Sequence, residues 1–270
     1  MIISIPDKFT IERSEKYILS IRLRPDGLSF SAYNPLEADS WFFREVEYKK
    51  EIPFLIALKE LFFENDFFSW SYKKTNLIFT DTPYVLIPTS LLQVKEDSLS
   101  FIHSSPGERV LVNPLTAQNA SLVYGVNGEV YEFCSRSLIN PDIFHSLTPL
   151  LSLWGEQKKG KGMYLIVRKN EIDILCFDSG RLSFLNTFQY IHRDDILYYV
   201  LYIWEQMNLE QMKDALYVVG ELLIQKEVIK GFSVYLNQVY PVEIPADAYL
   251  LGDDIQQASM DLIALSVCGL

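Results

Sequence analysis

The sequence predicts a mixed α/β (α+β) protein built twice: two halves, each a mixed sheet with a three-stranded meander plus helices. Three observations carry this. Residues 18–33 read ILSIRLRPDGLSFSAY, two apolar runs closed by Pro25-Asp26-Gly27. Residues 163–190 read MYLIVRKNEIDILCFDSGRLSFLNTFQY, three such runs closed by Arg168-Lys169-Asn170 and by Asp178-Ser179-Gly180. In both places a helix-like stretch and a short apolar strand follow.

Asp-Gly between apolar runs is a strong hairpin signal, so 18–23 and 28–33 are expected to pair. Residues 41–48 read as a third strand. Pro53 suits a first helical turn, and 52–63 has apolar residues at helical spacing until Asn65-Asp66. Short strands are expected at 77–80 and 84–87. A helical stretch should follow Pro88, with Leu91, Leu92, Leu99 and Ile102 as its apolar positions. Ser104-Ser105-Pro106-Gly107 is a loop, 110–112 and 122–126 are strands, and 129–138 and 146–154 are helices.

The polar, glycine-rich stretch 155–162 (GEQKKGKG) is the best boundary. It divides the chain into 1–157, a first half with a small inserted subdomain, and 158–270, a second half. The second half opens with strands at 163–167, 172–177 and 182–190. Asp194-Asp195 supplies first-turn acids for a helix at 196–207 that is apolar nearly all round, and so expected to be buried on several sides. A strand at 215–219, a helix at 222–229, a strand at 232–236 and a helix at 255–267 complete it.

The chain has 270 residues, 49% hydrophobic and 22% charged, enough for two modest domains. Its net charge of −11 repels a phosphate backbone, and Lys158-Lys159-Gly160-Lys161 reads as a solvated linker, so no nucleic-acid partner is expected. The three cysteines, Cys134, Cys176 and Cys268, are far apart without metal-ligand spacing, as expected for reduced thiols in a cytoplasmic protein. No apolar run reaches the length of a membrane span, so direct membrane insertion is not expected. His192-Arg193-Asp194 spells the start of a kinase catalytic loop, but the position for its asparagine holds Tyr199, and helix capping accounts for Asp194. His103, His145 and His192 are too scattered to read as a metal site, and no phosphate-binding P-loop or GxSxG occurs.

The duplicated β-β-β-α-β order with an insert resembles the actin, sugar kinase and Hsp70 superfamily, whose halves are ribonuclease H-like. Within it, the chain is similar to bacterial actin-like proteins of type IV pilus assembly and type II secretion. LVYGVNGEVYEFCSRSLINPDIFHSLTPLLSLW resembles their insert and crossing into the second domain. FDSGRLSFLNTFQY, DDILYYVLYIWEQMNL and LYVVGE resemble tracts of a poorly characterised bacterial family with this actin-like ATPase fold.

The resemblance implies ATP between the halves, held by an Asp-x-Gly turn at the start of each half and a Gly-Gly turn after a late strand. Glycine admits phosphate oxygens to the backbone, and a carboxylate positions hydrated metal. The positions to bring together are Asp26, Gly27, Asp178, Gly180, Gly220 and Glu221. The chain departs from this pattern. Its second-half turn at 168–170 has no glycine or acid, and Gly220 stands alone where two glycines belong. The expectation is therefore no resident cofactor and a non-catalytic protein-interaction scaffold with a protein partner. The alternative is an ATPase or small-molecule kinase using ATP and Mg in a cleft between halves.

Overall fold

The structure, a computed structural model, describes residues 2–92, 107–157 and 160–268. The expected positions Leu99, Ile102 and His103 lie outside the described residues. The chain forms two compact units, one of residues up to Ser152 together with those from Ile244 on, the other Leu153–Glu243.

The first unit begins with β1 (Ile18–Arg24), β2 (Gly27–Tyr33) and β3 (Phe42–Glu47), then α1 (Phe54–Glu64) and β4 (Lys74–Phe79). Alternation fixes the faces. Leu19, Ile21 and Leu23, with Leu28, Phe30 and Ala32, are buried in one core with Phe9, Phe42, Phe62, Phe67 and Phe68. The adjacent aromatics of the sequence thus fill this core: Phe62 stacks on Phe68 at 4.6 Å, and Phe67 lies 4.3 Å from Phe68. Pro53, at φ −56°, sits just before α1, where its missing N–H costs nothing.

β5 (Tyr84–Pro88), α2 (Thr89–Leu92), β6 (Glu108–Leu115) and β7 (Ala120–Asn127) form the insert, a separate antiparallel sheet in the order β5-β7-β6. α3 (Gly128–Ser137) follows, capped by Asn127 Oδ1 accepting from the Val130 amide. Next come β8 (Asp142–His145), which the sequence reading missed, and α4 (Leu147–Glu156).

The second unit contains β9 (Lys161–Val167), β10 (Glu171–Asp178), β11 (Arg181–Gln189), α5 (Arg193–Gln206), β12 (Ala215–Val219), α6 (Leu222–Phe232) and β13 (Gln238–Pro241). The expected strand at 232–236 is not formed. Phe232 ends α6, Tyr235 and Leu236 bond back to its carbonyl, and the strand comes later as β13. α5 turns one stripe inward, Ile196, Val200, Ile203 and Trp204, while Tyr198 and Tyr202 are 63% and 49% exposed. Its ring-rich surface is therefore not buried on several sides as expected.

The two main sheets run β3-β2-β1-β4-β8 and β11-β10-β9-β12-β13. Each is an antiparallel meander whose first strand pairs in parallel with the next strand, which pairs in parallel with the last. The predicted duplication is present as identical wiring.

The last segment returns to the first unit. α7 (Met260–Cys268) is preceded by 3-10 turns, so the helix expected at 255–267 is broken before Ser259. Ile255 and Ile263 pack with Tyr33 and Trp41, and the Trp41 amide donates to the Leu251 carbonyl at 2.9 Å. The contacts therefore divide the chain at 152/153 and 243/244, where the sequence suggested a single boundary at 157/158.

Candidate functional site

In the first unit, Pro25 and Asp26 form the two-residue turn between paired Arg24 and Gly27. Asp26 is exposed, and its backbone carbonyl accepts from the Tyr48 amide at 2.8 Å. Gly27 is needed for a close approach: a Cβ there would stand 2.1 Å from the Val46 carbonyl oxygen of β3. Arg24 Nε lies 3.3 Å from Asp26 Oδ1, and Nη1 pairs with Glu45 of β3. Burial pulls the Arg24 pKa down, with Asp26, Glu47 and Asp81 acting against that pull.

The second unit repeats this turn with different chemistry. Arg168, after β9, has its amide bonded to the Glu171 carbonyl at 2.9 Å across Lys169-Asn170. Arg168 thus occupies the place of Arg24, and Glu171 that of Gly27. The Arg168 guanidinium pairs with Glu171 Oε1 at 2.6 Å and with Asp173 Oδ2. Asp173 is buried at 1% exposure and also accepts from Thr187 Oγ1 at 2.6 Å. The Tyr190 hydroxyl donates to the Arg168 carbonyl at 2.6 Å. Each half therefore carries, at the end of its first strand or just after it, an arginine matched by two carboxylates: Asp26 of the turn and Glu45 of β3 for Arg24, Glu171 and Asp173 of β10 for Arg168.

Asp178 and Gly180 lie at the other end of that sheet. Asp178 pairs with Lys161, the first residue of β9, whereas Val167 is its last. Seven strand residues separate the two ends by about 20 Å. Ser179 (φ 52°) and Gly180 (φ 85°) make a tight hairpin turn whose second position favours glycine. The exposed Asp178 accepts from the Ser179 hydroxyl at 3.0 Å. Gly220 does lie at the Arg168 end: a Cβ on it would be 3.1 Å from the Val167 carbonyl oxygen. Glu221 is exposed, and its carbonyl accepts from the Gln225 amide of α6 at 2.8 Å. Within this unit Gly220 and Glu221 are therefore together, and Asp178 and Gly180 are apart from them. Asp26 and Gly27 belong to the other unit.

Asp195 accepts from the amides of Ile191 and His192 at 2.9 and 2.8 Å, and this pulls its pKa down; His192-Arg193-Asp194 is a helix start. Among the described residues no three His, Cys, Asp or Glu gather to hold a metal ion, and no helix is long and apolar enough to cross a membrane.

The first unit also carries an open groove of about 640 Å³ between α1, the turn at 66–69 and α3. Lys59, Phe62, Phe63, Asp66 and Phe133 are among its lining residues. Phe62 meets Phe133 edge-on at 5.4 Å, the Lys59 ammonium stands 5.9 Å over Phe133, and Phe63 is 92% exposed. Sequence reading did not find this groove, although Phe62-Phe63 at a helix end was a usable signal.

A family model described as protein of unknown function (DUF3822) matches residues 6–239. No curated protein matches the sequence. A solved structure from Bacteroides thetaiotaomicron, of a protein with actin-like ATPase fold and unknown function, is similar at TM-score 0.81 and 29% identity. The match covers 98% of this chain and 100% of that one. A structure of the PilM-PilN type IV pilus biogenesis complex is similar at TM-score 0.55 and 10% identity, covering 95% of this chain and 97% of that one. The fold is that of actin-like ATPases, as the sequence predicted.

Proposed function

The chain belongs to the DUF3822 family of proteins of unknown function, and on that premise we propose that it is a non-catalytic scaffold that binds another protein. The observation that carries this reading is the groove beneath Phe63. A large apolar ring left 92% exposed in a groove also lined by Phe62 and Phe133, with Lys59 and Asp66 among the lining residues, fits the apolar centre and charged rim of a protein contact. The likeness to a fold in the PilM-PilN complex supports an assembly role.

The two hairpin arginines support the non-catalytic part. A phosphate-binding turn needs backbone N–H groups open to an anion. The 168–171 turn offers a guanidinium already neutralised by Glu171 and Asp173, and Gly27 serves strand packing. No resident cofactor is proposed.

Two measurements test the reading. Thermal melting with Mg-ATP or Mg-ADP should show no shift; saturation at about 100 times Kd would add roughly 2.7 kcal/mol. A shift abolished by Asp26→Ala would overturn the non-catalytic reading. Affinity capture from native cells, comparing wild type with Phe63→Glu, should retain one protein that the variant loses while melting unchanged. Identical captures would sink the groove.

A further inference from the structure

The free charge around the Phe63 groove is negative. Glu60 and Asp66 are exposed lining residues, and among the described residues neither has an ion pair. The cations nearby are engaged: the Lys59 ammonium stands 5.9 Å over the Phe133 ring, and Arg136 pairs with Glu132 at 3.3 Å. α1 also ends here, and its last turn carries no basic residue. The negative end of its helix dipole is therefore left without a cation of its own.

The walls bear on the form of an occupant. Lys59, Glu60, Phe62 and Phe63 lie in the C-terminal half of α1, and Phe133 and Ser137 in that of α3. The unbonded amides of a helix stand at its N-terminal end, so these two walls present side chains and carbonyls and no spare N–H groups. No strand lines the groove, so an extended peptide would find no sheet edge to join. Its own carbonyls would face helix walls that offer no amide donors. A helix arrives with its backbone bonds already closed and presents only side chains.

Given that this groove is a protein contact, we propose that its occupant is a basic amphipathic helix of a partner protein. Apolar residues at i, i+3 or i+4 and i+7 of that helix meet Phe62, Phe63 and Phe133, and its Lys or Arg side chains reach Glu60, Asp66 and the carbonyl end of α1. The net charge of −11 acts in the same direction at longer range, drawing a cationic partner toward the chain and repelling an acidic one.

Random peptides displayed on phage, selected on the full chain and counter-selected on Phe63→Ser, test this. The exposed position of Phe63 leaves the variant's melting unchanged. The expected binders carry net positive charge and helical apolar spacing, and a synthetic copy gains helical ellipticity on binding. Phe63→Ser should weaken that peptide about thirtyfold or more. Glu60→Lys combined with Asp66→Lys should weaken it about tenfold at low salt and less at high salt. Glutamate in place of the peptide's own lysines should do the same against the unaltered chain. Binders that need Phe63 but are acidic or extended, or that bind the two-lysine variant equally well, would overturn the basic helix and leave the groove a protein contact. Failure to find any binder that needs Phe63 would remove the groove itself, and the helix with it.

Discussion

Arg22 of β1 donates through Nε to Asp261 Oδ2 of α7 at 2.6 Å, across 239 residues of sequence. Asp261 also accepts from Ser259 Oγ at 2.5 Å and from the Leu262 amide at 2.9 Å. Its side chain is 5% exposed and that of Arg22 16%. This cluster ties the C-terminal segment to the first sheet. Asp261→Ala leaves a mostly buried guanidinium without its partner and should cost about 3–5 kcal/mol. Urea unfolding measures it, and replacing both residues with apolar ones of similar size should recover most of the loss. A cost under about 1 kcal/mol would place the attachment of α7 in apolar packing alone.

The glycines give a prediction of opposite signs. Gly27→Ala forces a methyl to 2.1 Å from the Val46 carbonyl oxygen and should destabilise by more than about 2 kcal/mol as β2 and β3 move apart. Gly231 lies inside α6 with nothing within 4 Å of an added Cβ, so Gly231→Ala should stabilise by about 0.5–1 kcal/mol. Thermal melts of the two variants against wild type decide both. Equal, small effects would contradict the close approach at Gly27.

Much of this fold was legible because its local signals agreed with its topology. Turns at Pro25-Asp26 and Ser179-Gly180 close the β1–β2 and β10–β11 hairpins, and the run 215–219 ending at Gly220 is β12 itself. β8 was not legible. Its four residues follow Asn140-Pro141, and its support is tertiary: parallel pairing with β4, and Asn113 bonded to the Ile143 carbonyl and the His145 amide, both at 2.8 Å. The candidate site divides the same way. Aspartates and glycines at turns could be listed, but which sheet end each occupies depends on strand direction, and this separates Asp178 from Gly220. Asp173, a charge inside the apolar run EIDILCF, was a visible sign of a buried partner; that the partner is Arg168 needed the hairpin register.

That buried pair yields the next expectation. Asp173→Ala removes the acceptor of both Arg168 and Thr187 and should cost about 2–4 kcal/mol. Glu171 stays to pair with Arg168, so the loss should be local. Hydrogen exchange should quicken at amides 168–171 and 187 while β12 and α6 keep their protection. Uniform quickening throughout the unit would show that Asp173 supports the whole core.

Alkaline pH should unfold the protein cooperatively. Burial pushes the thiols of Cys134 and Cys176 and the phenol of Tyr33 up to about 12. Burial also raises Tyr48, Tyr72, Tyr124 and Tyr164, with smaller contributions from neighbouring groups. In the unfolded chain thiols ionise near about 8.5 and phenols near about 10. The folded chain therefore holds more protons above those values, and stability falls as pH rises. Below about pH 8 these groups have no effect. Each group ionised only in the unfolded chain removes about 1.4 kcal/mol per pH unit, the thiols first and the phenols after them. A fold of ordinary stability, about 5–15 kcal/mol, should lose its structure before about pH 12. Phenolate absorbance of the buried phenols should rise in a step coincident with loss of ellipticity. Tyr164→Phe should flatten the fall in stability above about pH 10 by one group's share. Phenolate absorbance that reached its full value gradually with the fold intact would refute the burial of Tyr33, Tyr48, Tyr72, Tyr124 and Tyr164.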